Sequence, residues 1–196
     1  MKSVALSLLA LALFGACSDK MTEGIPTEPP AKYSRVPDFD LIERSKRKVT
    51  QQEFAGKVWV VDFIFTHCGG VCPAMTSNMK KLQDKLFEDI RLVSFTVDPA
   101  NDTPEVLTEY ANRYGADKDR WLFLTGEPEA IQKLSIGGFK LALDPTAGTE
   151  IEPITHSSRF VLVDREGFIR GYYGTQELTD LDRLIEDANN LVLSTR

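Results

Sequence analysis

The chain of 196 residues contains few of the residues that most often carry out chemistry, with three cysteines and two histidines. It has no basic block longer than residues 46–48, and its net charge is −6. Both features argue against nucleic acid as a partner. We find no internal repeat and no low-complexity segment. The hydrophobic share of 42% and the charged share of 27% are those of an ordinary globular protein.

The N-terminus has the pattern of an export signal. Lys2 precedes an apolar stretch over residues 4–16 that is too short to span a bilayer comfortably. Residues 13–17 read Leu-Phe-Gly-Ala-Cys, which resembles a bacterial lipobox. We therefore predict a signal peptide over residues 1–17 and lipid attachment at Cys17. The alternatives are a plain signal peptide cut nearby and an uncleaved anchor. Each places the remaining chain outside the cytoplasm, in the bacterial cell envelope or periplasm.

Residues 18–36 have the composition of a flexible tether, with glycine and prolines close together and little apolar content. A single folded domain is predicted over residues 37–194. Lipidation of Cys17 would leave Cys68 and Cys72 as one even pair, which resolves the odd cysteine count of an exported protein.

The domain is predicted to be an α/β sandwich with a mixed central sheet flanked by helices. The almost unbroken apolar run at residues 58–65 is typical of a strand buried on both faces. Thr50 and Glu53 fit a capping box that opens one short helical turn, and Thr103 and Pro104 fit a helix start. The other predicted strands are residues 38–42, 91–97, 121–124, 158–163 and 168–173. Further helices are predicted to begin at residues 73 and 178, and a short one covers residues 129–136. Residues 143–153 are predicted to be a loop.

Cys68 and Cys72 lie where the buried strand gives way to the helix that Pro73 opens. The helix start is expected to favour the thiolate of Cys72, which is both the nucleophile and the metal ligand. Gly69 and Gly70 make the turn wide and pliable, so that the two sulfurs can form a disulfide or open around a soft ion. A purely structural disulfide is the alternative, although closing so short a loop stabilises little.

His156 precedes a predicted strand far along the chain. Two thiolates and one imidazole suit copper, and zinc accepts the same donors, usually with a fourth ligand. His67 adjoins Cys68 but is expected to point elsewhere. Met75 and Met79 are soft donors whose helical spacing predicts core positions.

Four features resemble the SCO/SenC family of copper-binding assembly factors for cytochrome c oxidase. Residues 65–73 read Phe-Thr-His-Cys-Gly-Gly-Val-Cys-Pro. Residues 94–105 contain Val-Asp-Pro followed by Asp-Thr-Pro-Glu. His156 follows Thr155 ahead of a strand and the 164–167 turn. The tethered N-terminus is the fourth feature, and the similarity extends over residues 36–190.

The resemblance implies a thioredoxin-like fold and one copper ion per domain, as Cu(I) or Cu(II), bound by Cys68, Cys72 and His156. It also places Asp98 close to the site, although an Asp-Pro pair equally suits a simple turn. Gly69 to Val71 replace the proline and acidic residue that the family often has, and Thr155 replaces an aspartate. Such neighbours tune metal affinity and redox potential.

Three functions remain open from the sequence. The first is a metallochaperone, not a classical enzyme, that delivers copper to the copper A site of oxidase subunit II or another copper protein, or reduces the cysteines of that site. The second is an extracytoplasmic thiol–disulfide oxidoreductase using Cys68 and Cys72 with other thiol-redox or copper carrier proteins. The third is a thiol peroxidase, because residues 71–73 resemble the peroxiredoxin Val-Cys-Pro, but Gly69 replaces the threonine which that motif requires.

Overall fold

The computed structural model describes residues 30–144, 146–147 and 154–194. A seven-stranded sheet has the strand order β2-β1-β5-β4-β3-β8-β9, and β6 and β7 form a separate pair. The strands are β1 Asp40–Glu43, β2 Lys48–Thr50, β3 Trp59–Ile64, β4 Arg91–Thr96, β5 Trp121–Thr125, β6 Leu143–Asp144, β7 Thr155–His156, β8 Arg159–Val163 and β9 Ile169–Gly174. The helices are α1 Cys72–Lys85, α2 Pro104–Arg113, α3 Pro128–Gln132 and α4 Leu178–Leu193.

The centre of the sheet is the parallel trio β3, β4 and β5. Every residue of β3 is buried, as its apolar run predicts for a strand covered on both faces. The strands β8 and β9 continue the sheet in antiparallel fashion beyond β3. The predicted α/β class with a mixed sheet is therefore confirmed, and the parallel strands direct their carboxyl ends to one edge.

Two apolar layers cover the sheet. On one face α1, α2 and α4 pack on side chains such as Val60 and Ile64. On the other face an aromatic group surrounds Trp59, with Phe54 stacked on it at 4.5 Å and Phe139 edge-on at 6.0 Å. Successive side chains of β3 lie in opposite layers. A shift of β3 by one residue would exchange the two sets of side chains, so the packing fixes the register of β3 in the sheet up to the cysteine turn.

The folded domain begins before the predicted boundary at residue 37. The main-chain N–H groups of Tyr33 and Val36 donate to the carbonyls of Ile169 and Gly167, and Arg35 bridges to Phe168. Val36 is buried at 3% exposure. Backbone pairing with the β9 hairpin thus orders the end of the segment that composition alone assigned to a tether. The predicted signal peptide and Cys17 lie outside the described residues.

The predicted short helical turn after Thr50 is confirmed as a single 3-10 turn over Gln51–Phe54, but its capping box is wrong. The Thr50 side chain makes no capping hydrogen bond. Glu53 instead accepts hydrogen bonds from both terminal guanidinium nitrogens of Arg47, the longer at 2.7 Å. The Thr103 prediction is confirmed, because its hydroxyl accepts the N–H of Val106 at 3.4 Å. Gly115 ends that helix region with φ +65°.

Two predicted boundaries change near the site. The helix predicted over residues 129–136 is α-helical only to Gln132 and then opens into a wide turn over Lys133–Gly138. The predicted loop 143–153 begins with β6, which pairs with β7, while residue 145 and residues 148–153 lie outside the described part of the chain. Within the described ranges, no helix has the length and apolar character needed to cross a membrane.

Candidate metal centre

The two cysteines occupy the turn between β3 and α1, as predicted. Cys72 is the first residue of α1 and is fully buried, and Cys68 is 7% exposed. Both are free thiols. The backbone N–H of Cys72 donates to the Cys68 sulfur at 3.4 Å. The N–H groups of the first helical turn have no partner within the helix. The N–H of Cys72 is one of them, and it binds the Cys68 sulfur instead.

Sheet topology brings His156 to this turn. Because β8 runs antiparallel to β3, pairing Val161 with Val61, the start of β8 lies near the end of β3. His156 lies three residues before β8 and places Nε2 at 3.3 Å from the Cys72 sulfur. Its Nδ1 lies 3.2 Å from the carbonyl oxygen of Ser157. A carbonyl can only accept, so Nδ1 carries the proton and Nε2 presents its lone pair to the sulfur.

The three predicted ligands therefore lie together, but they are not yet arranged as a closed metal centre. Within the described residues, no group of three or more His, Cys, Asp or Glu side chains has metal-binding geometry. Cys72 and His156 are in contact, and the Cys68 sulfur is held by a backbone donor instead. A bound ion would therefore require these side chains to rearrange. The donors themselves, two soft sulfurs and an imidazole, fit copper.

Burial changes the expectation for Cys72. Burial raises the pKa of its thiol far above the ordinary value, and the neighbouring Cys68 adds to the rise. The helix start was expected to favour the thiolate, but desolvation outweighs it. In the metal-free dithiol, Cys72 is therefore a protonated thiol.

Two aspartates follow β4 in different environments, and the place of Asp98 beside the metal site stays a prediction. Asp98 is half-buried, accepts a hydrogen bond from Asn101 at 2.8 Å and shapes the loop after β4. Asp102 is fully buried and accepts the Thr66 N–H at 3.1 Å and the hydroxyls of Thr66 and Thr96, each at 2.5 Å. Burial raises the pKa of Asp102, and these hydrogen bonds oppose the rise. Asp102 thereby anchors the residue two places before Cys68.

Replacing Asp102 with asparagine is expected to destabilise the domain by about 1–3 kcal/mol, because an amide cannot accept from all three donors and leaves one unpaired. Urea unfolding measures the change. Asp98→Asn is the matched control and is expected to stay within about 0.5 kcal/mol of wild type. Equal losses in the two variants would contradict the anchoring role of Asp102.

The remaining candidates divide into core and surface. Met75 and Met79 are fully buried in the core, as predicted. His67 points to solvent, with 67% of its side chain exposed. Sequence reasoning missed Asp62, a fully buried carboxyl in the middle of β3. Its signal was an acidic residue interrupting an otherwise apolar run.

A mixed α/β sheet with two thiols at a strand-to-helix turn and an imidazole on one sulfur defines a thioredoxin-like protein with a dithiol–histidine centre. Comparison with known proteins identifies the group. The sequence matches the SCO1/SenC family over residues 27–193, and the chain belongs to that family.

Solved structures of relatives agree. A SCO1/SenC family lipoprotein from Bacillus anthracis is 34% identical with a TM-score of 0.75, covering 83% of this chain and 97% of its own. BsSco, described with a disulfide switch and as a cytochrome c oxidase assembly protein of the Sco family, is 35% identical with a TM-score of 0.73, covering 85% and 98%. Copper-bound ScoI of Arabidopsis thaliana is 26% identical with a TM-score of 0.69, covering 82% and 99%.

Proposed function

We propose that this protein binds one copper ion through Cys68, Cys72 and His156 and passes it to the copper A site of cytochrome c oxidase subunit II or to another copper protein. The observation that carries the proposal is the 3.3 Å contact between the Cys72 sulfur and His156 Nε2, across 84 residues of sequence. The copper-bound structures of relatives support the choice of metal.

The residues of the proposed copper site contribute to it in different ways. The carbonyl of Ser157 fixes the His156 tautomer with Nε2 available as a ligand. Cys72 lies in a water-excluded position, where soft thiolate donors select Cu(I). Cys68 is the more accessible sulfur, and it accepts the Cys72 N–H. Its rotation can therefore open the site for loading and release, with the thiol protons passing to solvent as copper binds.

Anaerobic Cu(I) titration of the reduced protein tests the ligand set. His156→Ala is expected to lose more affinity than the roughly 10- to 100-fold that loss of an outer hydrogen-bonding partner costs a metal site. His67→Ala, at an exposed histidine, is the control and should keep the wild-type affinity. An unchanged affinity in His156→Ala would remove His156 from the site.

A second candidate function is thiol–disulfide exchange with partner proteins. Its supporting observation is the pair of free thiols, with the Cys68 sulfur hydrogen-bonded to the Cys72 N–H, and the disulfide switch of BsSco agrees with it. This role does not need an imidazole ligand. His156→Ala should therefore retain exchange with a disulfide peptide while it loses copper, and a parallel loss of both would exclude an independent exchange role.

Attachment to the membrane through lipid on Cys17 is also proposed. The lipobox-like sequence supports it, as does the Bacillus anthracis relative, which is described as a lipoprotein. Fatty-acid labelling of the full-length protein in a bacterial host tests it, and label that persists in Cys17→Ser would exclude that residue.

A further inference from the structure

The two sulfur ligands of the proposed copper site are buried and His156 is half-buried, so an incoming ion is expected to meet a more exposed group first. Cys72 is fully buried and Cys68 is 7% exposed. His67 directly precedes Cys68 and exposes 67% of its side chain. It is therefore the most exposed potential ligand next to the buried pair in the described turn.

The buried carboxylate of Asp102 sets the orientation of the His67 ring through the hydroxyl of Thr66. The buried Asp102 carboxylate receives the hydroxyl hydrogens of both Thr66 and Thr96. The hydroxyl of Thr66 has one hydrogen, and it is directed at Asp102 at 2.5 Å. Toward His67 Nδ1, at 3.2 Å, the Thr66 oxygen can therefore only accept.

This hydrogen-bond order fixes the tautomer of the exposed imidazole. Nδ1 must carry the proton that it donates to Thr66, so that Nε2 of the neutral ring carries the lone pair. Asp102 Oδ1 is 4.0 Å from Nδ1 and reinforces the same orientation. Metal-binding histidines are commonly oriented in this way, with the second ring nitrogen donating to a carboxylate or its hydrogen-bonded neighbour.

We propose that His67 is the entry ligand for Cu(I), a metal-contacting position outside the resident set of Cys68, Cys72 and His156. The inference rests on the proposed copper-binding function. Nε2 of His67 displaces one ligand of the donor complex, and the Cys68 thiolate then displaces the imidazole. The copper stays Cu(I) throughout, the donor ligand is released, and the Cys68 thiol proton passes to solvent.

The test is the rate at which the reduced full-length protein takes Cu(I) from its bicinchoninate complex, followed anaerobically by stopped flow. His67→Ala and His67→Gln are expected to slow uptake about tenfold, within the range over which association rates vary among related variants. His67→Met restores a soft ligand and should recover the rate. Thr66→Val, which keeps the imidazole but removes its acceptor, should be intermediate. Equilibrium stoichiometry and affinity should be unchanged in the three His67 variants.

Two results would overturn the inference and leave the resident site intact. One is wild-type uptake by His67→Ala. The other is a loss of equilibrium affinity in His67→Ala as large as in His156→Ala, which would make His67 a resident ligand. Failure of the wild-type protein to retain Cu(I) at equilibrium is a different result, and it would overturn the proposed function together with the entry role.

Discussion

Replacing Cys72 with serine is expected to abolish stoichiometric copper binding. Cys72 is the fully buried sulfur that contacts His156, and a serine hydroxyl is a hard donor that Cu(I) does not prefer. Only Cys68 and His156 would remain, without a common partner between them. Anaerobic titration followed by metal analysis after desalting measures the loss. Ser77→Ala is the control in the same helix, since Ser77 is exposed and its hydroxyl donates to the Pro73 carbonyl.

The same variant separates copper binding from disulfide exchange. In exchange, the Cys68 thiolate attacks a partner disulfide, forms a Cys68–sulfur bond and releases one partner thiolate. Cys72 then closes the Cys68–Cys72 disulfide and releases the second thiolate, so that the partner gains two electrons. Cys72→Ser stops after the first step and should accumulate the mixed disulfide. Cys68→Ser should accumulate little, because burial raises the pKa of the remaining thiol. Equal trapping in both variants would contradict this order.

The sequence predicts the scaffold of the site well because its signals are local. An unbroken apolar run indicates a strand buried on both faces, and Pro73 indicates the helix start. His156 has no such local signal. Its candidacy rested on the suitability of one imidazole and two thiolates for copper, the family resemblance implied the same ligand, and its position follows from the antiparallel pairing of β8 with β3. A contact across 84 residues depends on that register and cannot be read from spacing.

What the sequence does not predict depends on burial. Asp98 and Asp102 lie in one motif, and only the packing of the loop against Thr66 shows that Asp102 is the buried anchor. The helix start suggested a reactive thiolate at Cys72, but desolvation is the larger effect. Thr50 has the sequence signal of a helix cap, but in the structure it pairs with Asp40 at the end of β2 and its side chain makes no capping hydrogen bond. In each case tertiary environment outweighs a local preference.

The second large effect is expected on the pH dependence of stability, and it comes from Asp62. Burial of this carboxyl group disfavours its ionised form. It lies between Val60 and Ile64 on the face that the helices cover, and it is fully buried. In the described part of the chain, neither carboxylate oxygen has a hydrogen-bond partner. Burial raises its pKa to about 7. Near neutral pH the folded protein therefore holds a proton that the unfolded chain has lost.

We expect Asp62 to lower the stability of the wild-type protein progressively as pH rises from about 4 to about 7, and by a constant amount above that, because over that interval only the unfolded state releases this proton. Below the ordinary carboxyl pKa both states are protonated and no difference arises. A rise from 3.8 to about 7 corresponds to roughly 4 kcal/mol at the plateau. Asp62→Asn, neutral and of the same shape, should remove this part of the pH dependence and be the more stable protein above about pH 7. Urea unfolding across this range measures it, with the exposed Asp182→Asn as the control. Parallel pH profiles for wild type and Asp62→Asn would show that the folded state stabilises the ionised carboxylate after all.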